Sequence, residues 1–256
     1  MKKALIILII LSSLFVCETA QAKYKCYEYY KEHTSNKEEY ERAYKIATQT
    51  KPSEFEHMLA IGEEGISREA FYYVTYDHPE ILWSNSFYGD FMRPYDNIKD
   101  LEHDYDFLYA YINNIIVKLG KMKGVSKYQK IKKIHNFVSR AIKYKSSYDD
   151  STRSLGRVLV TGKGCCVAYA KLFKLLCDYY EIKSIYIANS DHAFNYVEYK
   201  NKWYGIDCCW DNDKTYNWFM YGKKEEKHFY EHTPKLWFNF SFKLPTLQKK
   251  KYKRAK

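Results

Sequence analysis

Gly162-Lys-Gly-Cys-Cys166-Val-Ala-Tyr-Ala170 is the stretch whose reading decides the fold. Gly162 and Gly164 break the chain, and the residues after them carry Phe173, Leu176, Cys177 and Tyr180 at helical spacing. The pattern predicts a helix over 167–180 with Cys165 and Cys166 at its start. Unpaired amides and the helix dipole favour an anion there, which lowers a thiol's pKa and raises its thiolate fraction. The same amides can steady an oxyanion. Successive helical side chains point ~100° apart, so only one of the two thiols can face a given imidazole.

Downstream, Ile185–Ala188, His192–Tyr199 and Lys202–Cys209 have strand composition, with Tyr199-Lys200-Asn201-Lys202 as the reversal between the last two. An even-numbered loop pairs even positions before it with odd positions after it. His192 and Phe194 then share a face with Gly205, Asp207 and Cys209. That arrangement lets a carboxylate hold an imidazole's tautomer and stabilise its protonated form. A thiol, an imidazole and a carboxylate, in that order, are the parts of a nucleophile, its base and the base's orienter.

These segments resemble a known family. Cys166-Val-Ala-Tyr-Ala resembles the C-x-G-Y-A segment of the bacterial transglutaminase-like superfamily. His192-Ala-Phe-Asn resembles its H-A-W-N, and Trp203-Tyr-Gly-Ile-Asp207-Cys-Cys-Trp-Asp resembles its W-Y-x-V-D-x-T-W-D. Asp77-His-Pro-Glu-Ile-Leu-Trp83 is similar to a D-x-P-E-x-F-W stretch upstream in such exported proteins. The resemblance covers about residues 68–225. It implies a papain-like α+β core in which Cys166 is the nucleophile, His192 the base and Asp207 the orienter. Cys166 rather than Cys165 aligns, because Tyr169-Ala170 follows it at the family's distance. Departures are Cys165 itself, Ala168 for the usual Gly, Phe194 for Trp, and Cys208-Cys209 for a Val-Thr-like pair.

The implied chemistry is acyl transfer on a protein or peptide substrate, at a Gln side chain or a peptide bond. The thiolate attacks the carbonyl and a thioester forms. An amine then gives a cross-link, whereas water gives deamidation or proteolysis. A cysteine peptidase or amidase of the same fold, and a catalytically silent cell-surface binding protein, are the alternatives. Tyr169, Trp203, Trp210 and Trp83 are candidate groove walls, set against their reading as ordinary core aromatics.

Outward from this centre, Ser126 and Gln129 form a capping box opening a helix with Ile131, Ile134, Val138, Ala141 and Ile142 on one face. His135 lies beside that stripe and reads as a core or boundary histidine. Residues 104–119 carry a broad apolar stripe closed by Gly120, a further helix. Arg68–Trp83, aromatic and β-branched with Pro79 inside, reads as a strand or strand–turn. Residues 23–66 read as polar helices capped by Ser35-Asn36 and Ser53. The expected organisation is a leader over 1–22, a helical and mixed extension over 23–125, a catalytic core over 126–242 and a basic tail over 243–256.

The leader reading rests on Lys2 and Lys3, the apolar run Ala4–Val16 and the small-x-small triplet Ala20-Gln21-Ala22. That run is shorter than the ~20 residues a membrane crossing needs, so a secreted, cell-surface-associated protein beginning near Lys23 is expected. The net charge of +11 is concentrated at the end, where residues 243–256 hold seven basic residues and no acid. Such a tail reads either as a solvated disordered terminus or as a hold on an anionic cell surface. No nucleic-acid-binding motif accompanies it.

The 28 tyrosines can fill a core while keeping a polar tip wet. Of the seven cysteines, Cys17 falls in the leader. A zinc site built from Cys165, Cys166, Cys208, Cys209 and His192 is disfavoured, because directly adjacent cysteines suit tetrahedral ligation poorly. A disulfide from Cys165 to Cys208 or Cys209 is an alternative bracing of the site. Asp211-Asn-Asp213 reads as a turn rather than a calcium loop. No cofactor motif appears.

Overall fold

The computed structural model describes residues 25–49, 66–81, 110–146, 152–188, 192–212, 216–226 and 242–253. The leader, the Ser53 cap and Trp83 lie outside those residues.

Sequence and structure part first at Ser67. Its side chain accepts a hydrogen bond from the Ala70 amide and opens helix α3, Arg68–Asp77, where strand was expected. The cap and the acidic first-turn Glu69 outweigh the β-branched and aromatic content, and residues 70–77 are buried all round the helix. Before it come α1, Tyr29–His33, and α2, Lys37–Gln49. Asn36 caps α2 by accepting from the Glu39 amide at 3.1 Å. Residues 110–119 are helical and end at Gly120, whose φ of 73° suits a glycine terminator.

The Ser126–Gln129 capping box starts α4, Lys127–Ala141, with Ile131, Ile134 and Val138 buried along one face. Helix α5, Leu155–Thr161, is capped by Ser154 and closed by Gly162 in the left-handed conformation. A short parallel pairing of β1, Lys143–Tyr144, with β2, Lys163–Gly164, then feeds the chain into α6, Cys166–Tyr179. Every residue of α6 from Cys166 to Asp178 is buried, including Lys171, Lys174 and Asp178. A helix covered all round is a central one, and α6 packs against α4, α5 and the sheet.

The sheet is a four-stranded antiparallel meander: β3, Ser184–Ala188; β4, Ala193–Tyr199; β5, Lys202–Ile206; β6, Phe219–Tyr221. Lys200 and Asn201 form the two-residue reversal with φ of 53° and 57°, the tight turn that suits strand twist. Tyr199 pairs with Lys202 and Tyr196 with Gly205, so even positions do meet odd ones. Gly205 is required by close approach: a Cβ there would collide with the Tyr221 ring. This is an α+β fold of papain-like type, in which a central helix begins at the thiols and packs on an antiparallel sheet.

Two ends of the chain close around this centre. Residues 25–33 are pinned by buried charge. Asp178 accepts from the Tyr27 amide, Asp77 from the Tyr30 and Lys31 amides, and Lys174 donates to the Tyr27 carbonyl. At the other end, the basic segment expected as a free tail is ordered over 242–253. Leu247 bridges Trp203 in parallel, the Gln248 amide donates to the Trp203 carbonyl, and the Tyr252 amide donates to the Met220 carbonyl. Its charge suggested solvation, but Leu247 and Tyr252 give it apolar anchors that local pattern does not weigh.

Candidate active site

His192 directly precedes β4 and Asp207 directly follows β5. The hairpin register places them on one face, and His192 Nε2 lies 2.5 Å from Asp207 Oδ2. A carboxylate only accepts, so Nε2 carries the proton and Nδ1 is left as the basic nitrogen. Asp207 is itself held: its Oδ1 accepts from the Cys209 and Trp210 amides, both at 2.9 Å. Strand β5 therefore stops at Ile206, short of the expected Cys209, and residues 207–212 curl into a turn around the carboxylate.

Cys166 opens α6 and is buried beside this pair. The amide of Ala193, the residue next to His192, hydrogen-bonds to its sulfur. The lowered thiol is nevertheless Cys165, a correction to the expectation for Cys166. A hydrogen bond from the Cys166 thiol, the Val167 amide and the charge of Arg153 pull Cys165 down to about 6, against the opposing effect of burial. Its bond to Cys165, with burial, pushes Cys166 well above the usual thiol range. Thr152, whose carbonyl accepts from the Cys165 amide at 2.9 Å, and Arg153 were missed by sequence reasoning. They precede the thiols by a dozen residues with no motif around them.

The groove-wall candidates separate. Trp210 stacks on His192 with ring centroids 4.7 Å apart and planes 25° from parallel, and Trp218 meets its edge. Tyr169 is a core residue, its hydroxyl donating to the Ile142 carbonyl at 2.5 Å. Trp203 shares the sheet face of Asp207 but lies four residues, ~13 Å, along the strand. It packs there on Tyr27, Tyr29 and the C-terminal segment, so it is no groove wall.

Asp211 accepts from the Trp218 amide and from His135 Nε2 at 3.1 Å. Both side chains are buried, which makes His135 a core histidine and Asp211 a brace of the turn. Asn195 donates to the carbonyls of Ala170 and Ile185, tying α6 to the sheet. All six cysteines among the described residues are free, so no disulfide braces the site. The described residues contain no group of three or more side chains able to hold a metal.

Residues 119–220 match a family profile described as Transglutaminase-like superfamily. No curated protein matches the chain. The matched span runs from the end of the helix over 110–119 to β6. It therefore encloses the thiols, His192, Asp207 and the turn that holds them. Residues 119–220 of this chain are a transglutaminase-like superfamily domain.

Proposed function

We propose that the protein is an exported cysteine acyltransferase or hydrolase, in which Cys166 attacks a carboxamide or peptide carbonyl. The observation that carries this reading is the His192–Asp207 contact beside a thiol at a helix start. In the attack, the Cys166 sulfur bonds to the carbonyl carbon as its proton leaves for Nδ1 of His192. The amides at the start of α6 face the oxygen that gains charge. Collapse breaks the carbon–nitrogen bond, His192 returns the proton to the departing nitrogen, and a Cys166 thioester remains. A lysine amine or water then takes the acyl group and restores the thiol.

Support for a thiol chemistry also comes from Cys165. Its sulfur is hydrogen-bonded to the Cys166 thiol and is pulled down by that bond, the Val167 amide and the charge of Arg153. The mature chain is proposed to begin near Lys23, outside the membrane.

The test incubates the mature protein with a glutamine peptide and a fluorescent primary amine. Ammonia, labelled peptide and cleaved peptide are then measured. Ammonia with label assigns cross-linking, ammonia alone deamidation, and cleavage peptidase action. Each should vanish in Cys166→Ala. A Cys166→Ala protein as active as the parent would end the reading.

A further inference from the structure

The lysine-rich end of the chain is built into the fold, and its order changes what its charge can do. Three main-chain hydrogen bonds fix it: Gln248 to Trp203, Lys223 to Gln248 and Tyr252 to Met220, at 3.0, 2.7 and 2.9 Å. Leu247 is buried, and Gly222 runs so close to Gln248 and Lys250 that a side chain there would strike their backbone. The segment thus brings exposed Lys249, Lys250 and Lys253 beside exposed Lys223 and Lys224, with exposed Lys202 next to the anchoring Trp203.

The nearby acids are engaged within the fold, Glu198 facing Lys127 at 4.0 Å. Glu225 Oε2 accepts from the Gly222 amide, and Glu226 is buried and bonded to the Tyr196 hydroxyl. Lys251 is turned back onto the carbonyls of Tyr216 and Asn217.

We propose that this ordered lysine edge is a docking platform for an anionic phospholipid surface. Half-buried Tyr199 and Tyr252, their rings 5.1 Å apart, lie on the sheet face of Lys202. Amphipathic rings flanking cations suit the headgroup boundary of a bilayer, where one end of the ring is apolar and the other wet. Lysine ammoniums act as compact point charges, matching a diffuse layer of phosphodiester headgroups better than one bidentate phosphate site. Because the segment is already ordered, little conformational entropy remains to be lost on docking. The platform is independent of the chemistry at Cys166.

The experiment sediments the mature protein with phosphatidylcholine vesicles, with and without phosphatidylglycerol, at low and at ~0.15 M salt. Binding is expected only with phosphatidylglycerol, weakening as salt rises. Each Lys→Gln change at 223, 224, 249, 250 or 253 should weaken it about fivefold. All five together should leave it undetectable, with melting temperature and Cys166 alkylation unchanged. Equal binding to neutral vesicles, no binding at low salt, or undiminished binding by the five-site variant overturns the proposal. Tight binding to inorganic polyphosphate without binding to vesicles also overturns it.

Discussion

Trp210 lies face to face with His192, 4.7 Å between ring centroids, over the same imidazole edge that Asp207 grips. The indole shields that hydrogen bond from water on one side. Its backbone amide meanwhile donates to the other oxygen of the carboxylate. Ring and carboxylate are therefore set by one turn.

Trp210→Ala should lower the rate of ammonia release about tenfold while the fold persists. A stacked aromatic pair contributes ~1 kcal/mol beyond burial, and water gains access to the imidazole. Trp210→Phe should restore most of it. An alanine variant with parental rate would show that the stack is packing alone.

Asp207→Asn should cost about a thousandfold or more in turnover. The amide can present its NH2 group to the imidazole and favour the wrong tautomer. Labelling of the cysteines should persist, separating loss of the base from loss of the sulfur. Rates and alkylation measured on one preparation decide it.

The thiol pair makes a prediction of sign. The hydrogen bond from the Cys166 thiol is the first cause pulling Cys165 down, to about 6. Cys166→Ala removes that donor, so the Cys165 titration should move upward toward an ordinary thiol. Cys165→Ser removes the first cause holding Cys166 up, so Cys166 should be alkylated at lower pH than in the parent. Iodoacetamide labelling against pH, read by peptide mass, follows both. Identical profiles in all three proteins would refute the coupling of the two thiols.

Lys174 and Asp178 pair at 2.5 Å with both side chains fully buried. Burial nevertheless pushes Asp178 up to about 7, Lys174 opposing it. A carboxyl raised above its unfolded range contributes stability that is present in acid and lost as pH rises through about 7. Lys174→Met removes the opposing cation, so at pH 8 the buried carboxyl must stay charged without a partner or take up a proton, and the change should cost about 3–5 kcal/mol there. At pH 5 the carboxyl is protonated and the cost should fall below half of that. Urea melts at the two pH values test it, and equal costs would mean Asp178 does not titrate.

The hairpin and the His192–Asp207 contact were legible because a two-residue reversal fixes side-chain parity by arithmetic. The thiol-bearing helix was legible because two glycines and a 3.6-residue stripe are local signals. Helix α3 was misread, since its aromatic content spoke for strand and a single serine cap decided otherwise. The order of residues 242–253 rests on Trp203 and Met220, far away in sequence. The lowering of Cys165 depends on Arg153 and on a hydrogen bond from its neighbour, neither of which a motif encodes.

Helix α6 begins at the sulfur and, eight residues later, presents Lys174 to the carbonyl of Tyr27. The recognisable span of 119–220 is consequently not a self-sufficient object. Excised at those limits, it would lose the Tyr27 carbonyl that Lys174 bonds and uncover the strand beside Trp203. Whatever trims or extends the front of this protein acts on the far end of the helix that carries Cys166.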